Sequence, residues 1–264
     1  MLVGQQKIGS MPTLLALIAH PDDESYSFGG TMALAARAGW RCVVECASAG
    51  ERGKRHDGGP AGAGGPGGRD NVGEARMKEL AESCRILGAD RPRVWGLADG
   101  GMRESGSQAA RILDLFKELE PGVVLSLGSD GAYGHPDHVA LYGWLREALS
   151  EAGPELAPAV LYAAFPKGLF VPQWERCIGM LGEPPSPAAA EIGSESFDYE
   201  VPIAAVAATK LEAIAAHRTQ LPGGDVEAIF PAGIVAALLS SERFLDARGR
   251  ADEAVEEIFR SFSG

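Results

Sequence analysis

Two short clusters of ligand-type side chains each follow an apolar run of the chain. The first, His20-Pro21-Asp22-Asp23-Glu24, comes after the run at residues 13–19, and the second is Tyr133-Gly134-His135-Pro136-Asp137-His138. Imidazoles and carboxylates are the usual ligands of a catalytic zinc ion, and a spare carboxylate beside them can serve as a general base. The clusters together therefore suggest one metal site.

The residue types are sufficient for metal-assisted acid–base chemistry. A catalytic zinc ion typically takes three protein ligands and keeps a position for water, so two histidines and one aspartate would suffice. Adjacent side chains point in different directions, which lets one of Asp22 and Asp23 bind the metal while the other accepts a proton from water. The spacing leaves open which residue has which role.

The second cluster can supply further groups to the same site. His135 and His138 lie three residues apart at a helix start and can both face it, one as a ligand and the other as a protonated group that stabilises an oxyanion. Asp137 could fix the tautomer of a site histidine, and Tyr133 could donate to a polarised carbonyl. A plainer interpretation makes the aspartates helix caps and the histidines loop residues.

The elements that would position these clusters alternate between strand and helix. Predicted strands cover residues 13–19, 41–47, 93–97, 123–126 and 159–165, and predicted helices cover residues 29–38, 72–87, 108–119 and 138–150. Such alternation predicts an α/β fold with a doubly wound, mostly parallel sheet and helices on both faces. If the strand order is 3-2-1-4-5, both clusters lie at the switch point where such sheets bind ligands.

The rest of the chain adds a C-terminal α/β elaboration. A strand at 197–203 and helices at 204–216, 226–239 and 251–262 extend a core of about 13–165, and we expect residues 1–264 to form a single domain. The glycine-rich run at 58–68 follows its strand too late to cradle a phosphate. It is interpreted as a flexible flap beside the site or as a tolerated insertion.

Composition restricts the class of partner and the compartment. A formal net charge of −12 argues against nucleic acid and anionic membranes, which favours a small-molecule substrate. The four cysteines, Cys42, Cys46, Cys84 and Cys177, form no CxxC pair, and the first apolar run is too short for a signal peptide or a membrane span. We therefore expect a cytoplasmic protein, and a homo-oligomer stays open.

At these motifs the chain resembles the LmbE-like, or PIG-L, family of zinc-dependent N-deacetylases. The similarity rests on residues 20–24 and 135–138 in that order. It extends through Gly50-Glu51-Arg52-Gly53, Arg76-Met77-Lys78-Glu79-Leu80 and Ala216-His217-Arg218-Thr219-Gln220. The resemblance implies a Rossmann-like fold and hydrolysis of an N-acyl group, commonly acetyl, on an amino sugar or a related small molecule.

The resemblance also implies individual roles. His20, Asp23 and His138 would be the metal ligands, and Asp22 would be the general base that activates water. Three further groups would act on the substrate carbonyl: His135 as a charged stabiliser or acid, Asp137 as the residue that orients it, and Tyr133 as a polarising donor.

The resemblance implies substrate contacts as well. Arg76 would contact substrate hydroxyls, as in relatives that act on mycothiol precursors, or would form an ion pair with Glu79 or Glu24. Asp99 is a further candidate for substrate contact. His217 would support the site from behind or satisfy the last carbonyls of its helix.

Three alternatives remain open at this point. A thiol-conjugate amidase that acts on a larger amide would share the motif at residues 50–53. A non-catalytic scaffold that binds a sugar or nucleotide is disfavoured, because every catalytic position holds a competent residue. Zn²⁺ is the first choice of metal, and two histidines with one carboxylate also suit Fe²⁺.

Overall fold

The computed structural model describes residues 11–56, 66–181, 188–228, 233–248 and 253–262. Its strands are β1 (Thr13–Ile18), β2 (Arg41–Ser48), β3 (Arg93–Leu97), β4 (Val123–Leu127), β5 (Ala159–Ala163), β6 (Tyr199–Pro202) and β7 (Ser241–Asp246). They form one sheet in the order β3-β2-β1-β4-β5-β7-β6. The predicted order of the first five strands is confirmed.

Helices cover both faces of this sheet. They are α1 (Asp23–Arg37), α2 (Pro66–Leu87), α3 (Ala109–Leu119), the single turn α4 (Gly131–Gly134), α5 (Pro136–Leu156), α6 (Val171–Leu181), α7 (Ala207–Ala216), α8 (Ile234–Leu238) and α9 (Glu253–Ser261). One core contains residues of α1, α2 and α7, and the opposite core contains residues of α3 and α5. The doubly wound α/β architecture is therefore confirmed.

The central strand β1 shows why the sheet lies between two layers of helices. All six of its side chains are buried, and they alternate between the two cores, as period-two geometry requires. β1 pairs in parallel with β2 on one side and with β4 on the other. The ends of β1 and β4 therefore lie side by side at one edge of the sheet.

Three helices begin earlier than their apolar periodicity predicted. α1 begins at Asp23 instead of residue 29, so the first motif itself forms the helix start. α5 begins at Pro136 and α2 at Pro66, because proline fits the first turn of a helix, where its missing N–H is not needed. Residues 66–68 are thus helical instead of part of a glycine-rich loop, and residues 57–65 of the proposed flap lie outside the described residues.

In the C-terminal elaboration, some of the predicted helices and strands are confirmed and others are not. β6 and α9 confirm the predicted strand and last helix, and the helix predicted at 204–216 is a 3₁₀ turn followed by α7. The helix predicted at 226–239 is confirmed only in part: the chain forms a 3₁₀ turn at Val226–Ala228 and the short α8, which begins after Gly233 at a φ of 90°. Residues 229–232 lie outside the description. The antiparallel strand β7 was not predicted.

β7 escaped prediction because two of the three side chains on its buried face are carboxylates. Glu242, Phe244 and Asp246 point inward, so the pattern carries little apolar signal. Glu242 accepts the backbone N–H groups of Gly30 (2.8 Å) and Thr31 (2.7 Å) in α1 and pairs with a buried lysine. Tertiary partners, and not an apolar face, therefore make this strand viable.

Breaking that buried ion pair is expected to destabilise the fold. Lys210 Nζ lies 2.6 Å from Glu242 Oε1, and both side chains are almost fully buried. Lys210→Met leaves the carboxylate without its counter-charge, so we expect the free energy of unfolding in urea to fall by about 3–5 kcal/mol. Lys117→Met removes an exposed pair with Asp114 and is expected to change it little. Equal effects of the two substitutions would contradict this account.

Among the described residues, no helix combines the length and apolar character that crossing a bilayer requires.

Candidate active site

The two sequence clusters meet at the carboxyl ends of β1 and β4. His20 follows β1, and His138 lies in the first turn of α5, directly after the loop that leaves β4. Nδ1 of His20 lies 3.2 Å from Nε2 of His138, although the residues are 118 positions apart. The expected single site therefore exists in the fold.

Asp23 completes the arrangement of these two rings. Its Oδ1 lies 3.3 Å from Nε2 of His138, and its Oδ2 lies 3.8 Å from Nδ1 of His20. Oδ2 also accepts the backbone N–H groups of Ala19 (3.1 Å) and His20 (2.9 Å), which fixes the carboxylate. Burial opposes ionisation, but the His138 ring holds the pKa of Asp23 below its usual range.

The outer hydrogen bonds of the two histidines assign their tautomers. His138 Nδ1 lies 3.0 Å from the carbonyl of Gly131, so it donates there and leaves Nε2 with a lone pair. His20 Nε2 faces the carboxylates of Asp137 (3.1 Å) and Asp99 (3.2 Å), so it carries a hydrogen as well. When His20 is neutral, two lone pairs consequently face each other across 3.2 Å.

This arrangement fits a bound metal ion. Ligand atoms that share a tetrahedral zinc ion lie about 3.4 Å apart at ordinary bond lengths, close to the contacts of His138 Nε2 with His20 and Asp23. Burial disfavours a charged His20, but hydrogen bonds to Asp137 and Asp99 outweigh it and raise its pKa to about 10. The carboxylates around His20 therefore favour a positive charge at this ring. A bound divalent metal ion can supply that charge in place of the proton on His20.

Two groups of described residues are close enough to hold a metal, and they share His20. One adds His135 and His138, and the other adds Asp99 and Asp137. The second group surrounds Nε2 of His20, and its carboxylates already accept backbone N–H groups from Arg52, Gly100 and Met102. The space beside Nδ1 of His20 is therefore the better place for a metal.

Asp137 and Asp99 hold His20. For Asp137 this agrees with the expectation that it fixes the tautomer of a site histidine, but not with the role at His135 that the resemblance implied. Asp137 was expected to orient His135, but both of its oxygens are engaged elsewhere: Oδ2 with His20 and Gly100 N, and Oδ1 with Met102 N. Asp99 was expected to contact substrate, yet one of its oxygens faces His20 and the other accepts from Arg52 N. Buried carboxylates behind a ligand histidine orient it and raise its basicity.

Asp137→Asn is expected to weaken metal binding. The amide cannot supply the negative charge that now faces Nε2 of His20, and such supporting groups change metal affinity by roughly 10- to 100-fold. Competition with a coloured chelator would measure the dissociation constant. Asp90→Asn, at an exposed pair with Arg41, is the matched control. Unchanged affinity in Asp137→Asn would show that His20 does not need this carboxylate.

His135 joins the site as a neutral ring. Its Nδ1 accepts the backbone N–H of Asp137 (3.3 Å), so Nε2 carries the hydrogen. Burial and the neighbouring rings of His20 and His138 lower the pKa of His135 well below its usual value. The positive charge expected for His135 is therefore disfavoured here, because a cation would be desolvated beside two other imidazoles. A neutral Nε2–H can still donate to an oxyanion.

Tyr133 packs beside both histidines of its cluster. Its ring centroid lies 5.5 Å from that of His138 and 6.0 Å from that of His135. The preceding residue, Ala132, has a positive φ of 62° inside α4. Strained backbone of this kind costs about 1–3 kcal/mol and is found most often at functional sites. The turn thus brings Tyr133 to the site at an energetic cost.

Asp22 points away from Asp23 because of its unusual backbone. Its φ is 114°, in a region that side chains other than glycine rarely adopt. The carboxylate Oδ2 lies 3.1 Å from Nη2 of Arg76. Burial raises the pKa of Asp22 to about 6, with Arg76 opposing the shift and Asp23 reinforcing it. Asp22 is thus ionised at neutral pH and basic enough to accept a proton.

Arg76 is buried and bonds to the protein itself. Its Nη1 donates to the carbonyl of Gly50 (2.8 Å), and its Nη2 donates to Pro21 O and to Asp22. The two ion-pair partners considered from the sequence are wrong, because Glu79 binds the backbone and hydroxyl of Thr219 instead and Glu24 has other partners. At 5% exposure, Arg76 joins two loops of the site and has little surface for substrate.

A buried network behind Asp22 contains residues to which the sequence gave no definite role. Glu24 Oε1 accepts from Ser83 Oγ (2.6 Å) and from His217 Nε2 (2.7 Å), while Glu24 Oε2 accepts from the backbone N–H of Asp22 (3.0 Å). Ser83 lies in α2, and nothing in the sequence around it indicates that this serine belongs to the site. His217, at the end of α7, does support the site instead of capping its helix through Nε2.

Comparison with known proteins agrees with this geometry. The profile of the PIG-L family, described as GlcNAc-PI de-N-acetylase, matches residues 15–149. That stretch is more than half of the chain and includes both clusters. The chain belongs to the PIG-L family. Its family membership and α/β fold thus agree with the resemblance seen in the motifs.

Two relatives and a solved structure extend the similarity beyond the family match. A 1D-myo-inositol 2-acetamido-2-deoxy-alpha-D-glucopyranoside deacetylase of Rhodococcus jostii is 31% identical over 91% of this chain and 93% of its own length. The protein of the same name from Nakamurella multipartita is 34% identical over 80% and 81%. The conserved protein TT1542 of Thermus thermophilus superposes with a TM-score of 0.61 at 25% identity, covering 92% of this chain and 97% of its own.

Proposed function

We propose that this PIG-L family member is a metal-dependent hydrolase that removes an N-acyl group, acetyl first of all, from an amino sugar. One observation carries the proposal: two histidines with inward lone pairs converge with an ionised Asp23, and the residue directly before Asp23 in the chain, Asp22, is a buried carboxylate with a raised pKa. The relatives named for deacetylation of a 2-acetamido-2-deoxyglucopyranoside support the substrate class.

We propose zinc as the metal, held by His20, Asp23 and His138. Two imidazoles and one carboxylate with a remaining open position are typical of catalytic zinc, and Fe²⁺ suits the same donors. When bound, the metal supplies the Lewis acidity that makes water acidic near neutral pH and polarises an amide carbonyl.

The residues around the metal would then divide the chemistry. Asp22 accepts the proton of the attacking water and passes it to the leaving amine, a role that suits its pKa of about 6. The Nε2–H of His135 donates to the oxyanion that develops on the substrate carbonyl. Tyr133, whose ring lies against the same histidines, is proposed as a second donor to this oxygen.

A substrate panel with defined metal content tests the proposal. Apoprotein reloaded with Zn²⁺ or Fe²⁺ would be assayed for amine release from N-acetylglucosamine, its inositol conjugate, a longer N-acyl glucosamine and a thiol-conjugated amide. We expect zinc-dependent release from the acetylated sugars to be fastest. Fastest turnover of the thiol conjugate would favour an amidase, and metal binding without any hydrolysis would favour a binding scaffold.

We also propose a cytoplasmic location and one continuous domain. Three of the cysteines, Cys42, Cys46 and Cys84, are buried thiols without a disulfide, as a reducing compartment permits. α7 of the C-terminal elaboration packs against α1 and α2 of the core, which supports a single unit. Recovery of the C-terminal elaboration as a separately folded fragment after limited proteolysis would contradict the single domain.

A further inference from the structure

The conformation of Asp22 needs a partner that holds it. Asp22 and Asp23 are adjacent, yet their carboxylates serve different neighbours, Arg76 for the first and His138 for the second. The divergence depends on the φ of 114° at Asp22, one of three positive values among the non-glycine residues that the structure describes. A residue with an ordinary negative φ would direct its side chain elsewhere.

Glu24, two residues further along the chain, is that partner. Its Oε2 accepts the backbone N–H of Asp22 at 3.0 Å, across two residues. The bond acts on the backbone of Asp22, so it restrains the peptide whose rotation sets φ. Asp22 O is fixed as well, because it accepts from Ser25 N, Ser25 Oγ and Tyr26 N at the start of α1.

Glu24 is itself held on its other oxygen by two elements distant in sequence. Ser83 Oγ of α2 and His217 Nε2 at the end of α7 both donate to Oε1, at 2.6 and 2.7 Å. Glu24, Ser83 and His217 are each 0% exposed, so no water competes for these bonds. The carboxylate therefore has one rotamer and one place at which to present Oε2.

We propose that Glu24 is a positioning residue, which Ser83 and His217 fix in place so that it clamps the backbone of Asp22 and aims the general base. The inference deepens the proposed function and rests on it for the role of Asp22. It gives the C-terminal elaboration a part in the chemistry, because His217 joins α7 to the first motif. Glu24 acts through Asp22, because the described hydrogen bonds of its carboxylate are to Asp22 N, Ser83 Oγ and His217 Nε2.

Two substitutions of Glu24 distinguish the effect of its hydrogen bond to the backbone of Asp22 from a general effect of changing a buried residue. Glu24→Gln can still accept the Asp22 N–H through its amide oxygen, and its NH₂ group can donate to Ser83 and His217. For His217 to accept at Nε2, its hydrogen must move to Nδ1, an atom with no partner in the described structure. Glu24→Ala removes the acceptor. We expect Glu24→Ala to lower kcat by roughly 100-fold, as a misplaced catalytic group does, with KM within threefold and full metal content.

The activity of Glu24→Gln distinguishes a positioning role of Glu24 from a role in stability alone. Glu24→Gln should recover most of kcat, since the backbone bond survives. Glu242→Gln is the matched control: that carboxylate is also buried and also accepts N–H groups of α1, at Gly30 and Thr31, but lies outside the site. It should lower thermal stability without changing kcat. If Glu24→Ala does not fold, Glu24→Ala with His217→Leu removes the imidazole left without a partner.

Crystal structures of the variants test the clamp independently of any activity. In Glu24→Ala, or in the double variant, Asp22 should relax to negative φ and its carboxylate should leave Arg76. A positive φ with the Arg76 contact retained would overturn the proposal, and so would equal losses of kcat in the Gln and Ala variants. If the unmodified protein hydrolyses no amide, the proposed function fails, and the position of Asp22 in the two structures still decides on the clamp.

Discussion

Asp22→Asn is expected to lower kcat by roughly 100- to 10,000-fold while metal content stays unchanged, because general-base catalysis has that magnitude. Asparagine keeps the size of the side chain and can still accept a hydrogen bond from Nη2 of Arg76. It cannot accept a proton near neutral pH. The proposed ligand atoms of His20, Asp23 and His138 are untouched, so the metal should remain.

The measurement pairs steady-state kinetics with elemental analysis of the same preparation. Asp114→Asn, an exposed carboxylate on α3, controls for the loss of one negative charge. If Asp22→Asn retains its metal and more than a tenth of the original kcat, another group accepts the proton. Loss of metal together with activity would instead place Asp22 among the ligands, reversing the roles of the two adjacent aspartates.

His138→Ala is expected to abolish metal binding, and activity with it. The imidazole supplies the nitrogen that lies 3.2 Å from His20 and 3.3 Å from Asp23, so its removal leaves two donors, 3.8 Å apart, where a catalytic zinc ion needs three. The loss should exceed the roughly 10- to 100-fold change in affinity typical of residues that only support a ligand. Titration of the apoprotein with zinc measures this directly.

His135→Gln serves as the comparison, because His135 could replace Asp23 in the ligand set by distance alone. If it donates to the oxyanion, the variant should keep its zinc and lose roughly 100- to 1,000-fold in kcat. If His135→Gln loses zinc as completely as His138→Ala, the set is His20, His135 and His138. The alternative third ligand, Asp23, would then have only its hydrogen bonds to the backbone.

Much of the fold could be read from local pattern. The run at residues 13–19 is apolar throughout, as a strand buried on both faces must be, and β1 is such a strand. β7 is the counterexample, since its inward face bears Glu242 and Asp246, and the burial of those carboxylates depends on Lys210, Tyr199 and the N–H groups of α1. No periodicity of a single segment can report partners that lie on other elements.

The sequence by itself determined which residues form the candidate site, and it predicted their convergence for a sheet in which β1 and β4 are neighbours. A parallel sheet of that order brings the ends of the two strands together whatever their side chains do. Only the tertiary structure decided what each side chain faces: Asp137 turns to His20 and not to His135, and Arg76 to Asp22. Those contacts depend on distances of an ångström and on backbone angles such as the φ of Asp22, which follow from packing between distant segments and not from residue order.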